Sequence, residues 1–278
     1  MKQLYDDVSH ACSKLTTRAY STSFSLGIHC LGSELHAPIY AIYGFVRFAD
    51  EIVDTFHEYD KEELLTEFIN DTWKAIDRKI SLNPILNSFQ HVVHTYNIDR
   101  ELITCFLDSM TADLHQAIHS EDSYKDYIVG SAEVVGLMCL RVFTNNDRQL
   151  YDLLEQPARK LGAAFQKVNF LRDLKNDYEY LGRVYFPGVD FRAFSDKEKQ
   201  QIEQDIDTDF REAYLGIRQL PKAAKFGVYM AYVYYRNLFG KIREIPSARI
   251  LIERVRISNR RKIGLLVTSY FKHSFSLI

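Results

Sequence analysis

Apolar residues recur at intervals of three and four positions along almost the whole chain. This spacing places them on one face of an α-helix, whereas a strand would require strict alternation. Gly and Pro, which interrupt helices, number only 12 and 6 in 278 residues, fewer than the average usage of about 7% and 5% gives. The pattern therefore predicts an all-α protein. Helices are predicted over residues 4–18, 35–55, 60–79 and 84–96, from Asp99 onward, from Tyr124 to Arg141 and from Asp147 to Glu155.

Prolines and a capping motif mark the starts of the later helices. Pro157 is predicted to begin or kink the next helix at its first turn, because Pro has no backbone N–H to donate. Residues 195–198, Ser-Asp-Lys-Glu, have the composition of a capping box. Pro221 and Pro246 are predicted to occupy the first turns of the last two helices. Residues 182–194 are predicted to be irregular, and they form either a lid over a site or a plain connecting loop.

One predicted helix is apolar on most sides and carries a single polar stripe. Gln166, Asn169, Asp173 and Asp177 are spaced by three, four and four residues, so they share one helix face. Leu, Val, Phe and Ala occupy most of the remaining positions, which is typical of a buried helix. Two unpaired carboxylates in such a place would be costly, so a cation is expected to face them.

The same arrangement occurs upstream in a second helix. Tyr43, Arg47, Asp50 and Asp54 are spaced by four, three and four residues on one face, and Ile, Phe, Val and Ala cover the rest. Carboxylates on two facing helices form a hard-oxygen site that suits Mg²⁺ bridged to phosphate. An arginine accompanies each pair and can share the negative charge of a phosphate. The chemistry that these groups indicate is ionisation of a diphosphate ester.

These motifs resemble those of the squalene and phytoene synthase family. The matching segments are Tyr20-Ser-Thr-Ser-Phe24, the two acidic motifs over residues 43–54 and 166–177, and Gly182-Arg-Val-Tyr-Phe-Pro187. The resemblance extends from Tyr20 to the late arginine cluster, nearly the whole chain. The short length and the run over residues 187–191 are most similar to bacterial phytoene synthases.

The resemblance implies one isoprenoid-synthase-type helical domain, residues 1–278, around a central cavity. It implies that two geranylgeranyl diphosphates condense head to head, through a cyclopropyl (prephytoene) diphosphate, to phytoene. Mg²⁺ is the implied cofactor, with about two or three ions per site; Mn²⁺ can take its place, and no reductant is used. The implied partner is therefore a prenyl diphosphate substrate.

The site residues that follow from the motifs and the resemblance fall into three overlapping groups. The predicted catalytic residues are Tyr43, Arg47, Asp50, Asp54, Arg172, Asp173 and Asp177. The predicted metal ligands are Asp50, Asp54, Asn169, Asp173 and Asp177. The predicted substrate-binding residues are Tyr20, Ser21, Ser23, Phe24, Tyr43, Arg47, Tyr127, Gln166, Asn169, Arg172, Arg183, Tyr185, Tyr234 and Arg260.

Several of these features have a plainer interpretation. The Tyr20–Phe24 segment reads as a polar turn whose hydroxyls can cap a helix as well as bind phosphate. Gly130 and Gly136 favour close packing against either a helix or a ligand chain. Two pairs of imidazoles have helical spacing, but their segments are polar, so they are interpreted as solvated faces. These pairs are His91 with His94 and His115 with His119.

Other functions remain open at this stage. Farnesyl diphosphate as substrate would make the protein a C30 dehydrosqualene or squalene synthase, and a family member that has lost catalysis can act as an assembly factor. A di-iron bundle requires Glu-x-x-His on two helices, and the chain has no Glu followed by His at that spacing. A chain-elongating prenyltransferase normally carries Asp-Asp-x-x-Asp, whereas both pairs here are Asp-x-x-x-Asp.

Composition limits which partners and which cellular location are expected for the protein. A net charge of −2 gives no general basic surface, so nucleic acid is not an expected partner. The four cysteines are far apart, and neither an N-terminal apolar region nor a run of about 18 apolar residues is evident. A cytoplasmic protein is predicted. Its basic cluster at residues 254–262 and the apolar tail that follows can contact the inner face of a membrane; the oligomeric state is not predicted.

Overall fold

The computed structural model describes residues 2–115, 119–181, 183–189, 194–251 and 255. These residues form helices and connecting loops, and no strand occurs among them. The helices are α1 (Lys2–Tyr20), α2 (Thr22–His29), α3 (Ser33–Asp54), α4 (Lys61–Arg78), α5 (Pro84–Thr95), α6 (Arg100–His115), α7 (Glu121–Ile128), a π-helical turn (Val129–Glu133), α8 (Val134–Thr144), α9 (Arg148–Leu181), α10 (Asp196–Ile217), α11 (Lys222–Arg243) and α12 (Ser247–Ile250).

The all-α prediction is confirmed, and most predicted helices lie within a few residues of the observed ones. The capping box predicted at residues 195–198 is present, with the Ser195 hydroxyl accepting from the Glu198 N–H and the Glu198 side chain accepting from Ser195. Pro221 and Pro246 directly precede α11 and α12 as their N-cap residues, one position before the predicted first turn.

The prediction that Pro157 separates two helices is wrong. Residues 148–181 form one helix of 34 residues with Pro157 in its interior. A proline removes one backbone hydrogen bond from a helix, but packing against α10 holds the ring in place. Gly216 makes this possible, because a Cβ at that position would lie 2.2 Å from the Pro157 Cβ. The long helix runs uninterrupted from the cavity wall to the acidic pair.

Two groups of buried apolar residues surround the two acid-bearing helices. The first packs around α3, where Phe45 stacks on Phe89 with ring centroids 3.9 Å apart. The second packs around α9 and includes Val168, Phe170 and Leu171. Each acid-bearing helix is therefore fixed by its own part of the core, which sets the position of its polar face.

The segment Glu121–Thr144, formed by α7, the π turn and α8, has 24 residues and a mean hydropathy of 1.5 over its most apolar stretch. By length and composition alone this segment is apolar enough to cross a membrane, a property that buried core helices share. Half of that stretch is buried inside the protein. Gly130 and Gly136 fit tightly against α6 and α9, where a Cβ would lie 2.8 Å from the Cys105 carbonyl and 3.2 Å from that of Ala158.

One of the two imidazole pairs differs from the prediction. His91 and His94 are exposed as expected, and so is His115. His119 instead is buried, because its ring stacks beside Tyr127 and Tyr185. These contacts place His119 in the interior, so the solvated face predicted for it is wrong.

Candidate active site

A cavity of about 330 Å³ lies between α2, α3, α8, α9, α10 and α11. Its wall is almost entirely apolar, and it ends at a small group of polar side chains. The lining residues of α3 and α9 precede the acidic pairs in the chain, so both helices lead from the apolar wall to the acids. These lining residues are Ile39, Ile42, Tyr43 and Val46 on α3, and Leu154, Pro157, Ala158, Leu161, Gly162, Phe165, Gln166 and Asn169 on α9.

The polar end of the cavity is held by hydrogen bonds between helices. The Tyr235 hydroxyl donates to the side-chain oxygen of Asn169 at 3.2 Å, and the Tyr235 ring stacks on Phe165 at 4.0 Å. The Gln166 amide donates to the Ser131 hydroxyl at 3.3 Å. These contacts fix two predicted substrate-binding side chains at the cavity wall.

The prediction that Tyr234 lines the cavity is corrected by the structure. Tyr235 lines it instead, while Tyr234 is half-buried with its ring edge against Tyr235. Adjacent helical residues point about 100° apart. A shift of one position along α11 therefore moves a side chain from the cavity wall to the side of the helix.

The acids of α3 lie beside an arginine one turn earlier. Arg47 donates to Asp50 at 2.5 Å and also to Glu51. The pKa of Asp50 is raised to about 7, chiefly by burial and then by the nearby Asp54, while Arg47 opposes the shift. Two carboxylates one turn apart at this site therefore repel each other, and a cation between them would remove the repulsion.

The acids of α9 have a similar arrangement. Arg172 donates to both oxygens of Asp173, one of these contacts at 3.0 Å. The pKa of Asp177 is raised to about 7 by burial, then by Asp173, then by Asp54 of the other helix. Because Asp54 acts on Asp177, the two acidic pairs face each other across the end of the cavity.

Arg183 connects the two pairs to a third acid. Its guanidinium donates to Asp54 at 2.9 Å and to the backbone carbonyl of Asp113 on α6 at 3.1 Å. Arg183 is 8% exposed and Tyr185 is 5% exposed. Arg183 and Tyr185, in the described part of the predicted lid, are therefore buried beside the acids, whereas Gly188 is exposed.

The segment Tyr20–Phe24 is a junction between two helices rather than a turn. Ser21 is the N-cap of α2 and accepts from the Phe24 N–H at 3.1 Å, while Ser23 lies half-buried on α2. The Tyr20 ring lies under the Arg47 guanidinium at 4.3 Å. The Phe24 ring lines the cavity beside Tyr43. The junction therefore joins the apolar cavity to the acids of α3.

Tyr127 is not among the residues that line the cavity. It is buried in an aromatic stack with Phe170 and Tyr185, and its hydroxyl donates to Asp113 at 2.7 Å. Burial raises its pKa well above the ordinary value for tyrosine. Arg260, a predicted substrate-binding residue, and the rest of the basic cluster at positions 254, 256, 261 and 262 lie outside the described residues.

The donor set at the acidic end fits a divalent cation of the Mg²⁺ class. Asp50, Asp54, Asp173 and Asp177 supply hard carboxylate oxygens, and Asn169 supplies an amide oxygen. Burial and then a neighbouring carboxylate raise the pKa of one acid in each pair, and a bound cation would oppose both effects. Within the described part of the chain, no three acidic, imidazole or thiol side chains form a preassembled cluster. Arginines bind three of the acids instead.

Two residues of the site were missed by the sequence reasoning. Tyr235 is adjacent to Tyr234, the tyrosine that was predicted to bind substrate. Asp113 follows Met110 by three residues and Phe106 by seven, so it lies on the apolar face of α6. The signal that identified the acids of α3 and α9, a carboxylate within an apolar stripe, was therefore also present on α6.

The chain is similar to known proteins along most of its length. The family model for squalene/phytoene synthase matches residues 17–261. A 15-cis-phytoene synthase from Synechococcus elongatus is 28% identical over 84% of this chain and 83% of that enzyme. A 4,4'-diapophytoene synthase from Staphylococcus haemolyticus is 26% identical over 67% of this chain, and the matched segment spans 65% of that enzyme.

Solved structures share the fold. A dehydrosqualene synthase bound to a ligand superposes with a TM-score of 0.84 at 22% identity, over 98% of this chain and 99% of the other. The squalene synthase HpnC from Alicyclobacillus acidocaldarius gives a TM-score of 0.75 at 18% identity, over 87% and 95%. The class of protein that this fold and this site define is the helical prenyltransferase.

The chain belongs to the squalene/phytoene synthase family. Its relatives support head-to-head prenyl condensation of the phytoene or squalene type, and both C40 and C30 enzymes occur among the matches. The family assignment made from the motifs is confirmed.

Proposed function

We propose that this protein condenses two geranylgeranyl diphosphates head to head to phytoene, with a divalent cation and without a reductant. The first step forms a cyclopropyl (prephytoene) diphosphate and releases one diphosphate and one proton. The second step ionises that intermediate, rearranges it and again releases one diphosphate and one proton. The two proton losses leave the hydrocarbon without any need for hydride.

The observation that carries this proposal is the joining of an apolar cavity to two facing acidic pairs. Phe165 and Tyr235 form part of the wall where α9 passes from apolar residues to acids. A hydrocarbon chain with an ionic head requires these two environments in this order. Asn169 lies at the boundary, between the cavity and Asp173 one turn further along α9.

The diphosphate would be bound at the acidic end. Arg47, Arg172 and Arg183 lie beside the acids and can donate paired N–H bonds to diphosphate oxygens. Mg²⁺ bound there would neutralise the leaving diphosphate. The side chains that would hold it are Asp50, Asp54, Asn169, Asp173 and Asp177.

The cavity would protect the carbocation that ionisation leaves behind. Apolar walls exclude water, which would otherwise capture the cation. The ring faces of Tyr43 and Tyr235, both on the wall, can stabilise positive charge. Burial raises the pKa of each hydroxyl, so both tyrosines stay neutral near pH 7.

Product analysis tests the proposal directly. The purified protein is incubated with geranylgeranyl or farnesyl diphosphate and Mg²⁺, with and without NADPH. We expect phytoene from the C20 substrate, no change on adding NADPH, and no product in excess EDTA. A C30 product alone would assign a dehydrosqualene or squalene synthase, and NADPH dependence would favour the latter. No product from either substrate would support the non-catalytic alternative.

A further inference from the structure

The Arg183 guanidinium is shared between two acids from different helices. Its Nη1 donates to Asp54 at 2.9 Å, and the Asp113 carboxylate lies 4.0 Å from the same nitrogen. A guanidinium that is 8% exposed requires a carboxylate partner, because burying it unpaired is costly. Asp54 and Asp113 both supply this compensation in the described part of the chain.

Asp113 can accept more hydrogen bonds than it has. Its Oδ2 accepts from the Tyr127 hydroxyl at 2.7 Å, while its Oδ1 is buried with no partner among the described residues. A carboxylate can accept about four hydrogen bonds, and a buried acceptor without a donor destabilises the fold. The free Oδ1 is therefore available to a guanidinium N–H.

Under the proposed function, two partners compete for Asp54, namely the divalent cation and Arg183. If Asp54 binds a divalent cation, its oxygens turn to that cation and the positively charged Arg183 is repelled. Without another acid, Arg183 would be left buried and unpaired. Asp113 lies close enough to receive it through a small side-chain movement.

We propose that Asp113 is a positioning residue that retains Arg183 beside the acidic pairs when Asp54 binds the cation. Arg183 then remains available to the diphosphate instead of withdrawing from the site. This inference rests on the proposed function, since it assigns how one diphosphate-binding side chain is held. Asp113 itself contacts neither the cation nor the substrate.

The first experiment measures binding of inorganic pyrophosphate with Mg²⁺ by calorimetry. Asp113→Asn keeps the acceptor for Tyr127 and removes the charge that holds Arg183. We expect about tenfold weaker binding, which is about 1.4 kcal/mol. In an Arg183→Gln background the same change should weaken binding by less than about twofold, because Asp113 acts through Arg183. Asp108→Asn, an exposed acid on the same helix, is the control and should leave binding unchanged.

Equal losses from Asp113→Asn in both backgrounds would overturn the proposal, as would unchanged binding. Should Asp113→Asn fail to fold, Arg183→Lys probes the same contact from the other side. Lysine keeps the charge but lacks the fork that can contact two acids. It should weaken pyrophosphate binding to a similar extent, and full binding by this variant would also overturn the proposal.

The second experiment needs neither metal nor substrate. Thermal midpoints are measured in EDTA for Asp113→Asn alone and combined with Asp54→Asn. We expect the loss caused by Asp113→Asn to be about twofold larger when Asp54 is neutral, because Arg183 then depends on Asp113. Equal losses would contradict the inference. If the wild-type protein fails to bind pyrophosphate, the proposed function fails, and this metal-free coupling still decides whether Asp113 holds Arg183.

Discussion

The two acid-bearing helices have the same spacing between their acids, but the side chains that pack behind them differ. Behind α3, the Phe45 ring lies 3.9 Å from Phe89 and 5.4 Å from Phe106. Behind α9, Lys167 donates to Asp209 of α10 at 2.7 Å, and Asp209 is 1% exposed. Aromatic packing therefore supports both halves of the site, and behind α9 a buried ion pair adds to it.

The acids themselves also differ in how they are held. On α3 the second acid, Asp54, is held by Arg183 from a distant segment. On α9 the first acid, Asp173, is held by the adjacent Arg172. The remaining acid of each pair has its pKa raised to about 7, chiefly by burial. The comparison teaches that equal spacing of the acids does not give them equal partners: Asp50 and Asp173 pair with arginines of their own helices, whereas Asp54 pairs with a distant one.

The largest expected effect tests whether the two halves act together. Asp50→Asn and Asp173→Asn should each lower product formation by about 10³-fold or more, because the cation must be held from both helices. Stabilisation of the leaving group by metal is worth several kcal/mol, and each ~1.4 kcal/mol is tenfold in rate. Product yield and thermal midpoint are measured on the same samples.

The thermal midpoints separate this role from a structural one. Without metal, neutralising Asp50 removes repulsion and should leave the midpoint unchanged or slightly raised. A purely structural ion pair would instead lose about 3–5 kcal/mol, with activity following folding. Asp152→Asn, an exposed acid on α9, is the control. Full activity in a well-folded Asp173→Asn protein would end the metal hypothesis.

The second prediction separates the two kinds of support. Phe45→Ala should destabilise the protein by about 3–5 kcal/mol through a cavity. Lys167→Met should cost about 1–3 kcal/mol, because the buried Asp209 loses one charged donor and keeps its ion pair with Lys160. Adding Asp209→Leu to Lys167→Met should recover most of the loss, because an apolar pair can replace a buried ion pair. Denaturant unfolding of the three variants measures this.

Recovery of stability in the Lys167→Met and Asp209→Leu combination is the decisive result. Phe45→Ala allows no such recovery, because no second truncation can refill the space left by the ring. Failure of the Lys167→Met and Asp209→Leu combination to recover stability would show that the ion pairs contribute more than charge compensation. Lys160, which also contacts Asp209 and is partly exposed, can turn to solvent in this variant.

The sequence predicted the helices and the two polar stripes, because these follow from local periodicity, and their facing arrangement was inferred from the chemistry of paired carboxylates. It did not predict the support behind α9, since Lys167 is adjacent to Gln166 within the motif and its partners are about 40 residues away on α10. It also missed the continuity of α9 through Pro157. That depends on the absent side chain of Gly216, which lies on another helix.

The role of His119 could not be predicted for a related reason. Helical spacing from His115 suggested a solvated pair, but His119 is buried. The imidazole is then placed against Tyr127 and Tyr185 by tertiary contacts. Periodicity describes only residues within one element, so every misassigned residue of this site lies at an end or depends on a neighbouring helix.

The smallest expected effect concerns this imidazole and the aromatic stack beside α9. Burial lowers the pKa of His119 below its usual 6.5, with Arg183 lowering it further and a Ser123 backbone contact opposing both. Below pH 6.5 the unfolded chain therefore binds a proton that the folded protein resists, so stability falls as the pH falls. His119→Gln should reduce the loss of unfolding free energy between pH 7.5 and pH 5 by about 1 kcal/mol. Urea unfolding at the two pH values measures it, with the exposed His91→Gln as control, and equal acid sensitivity in wild type and His119→Gln would refute the assignment.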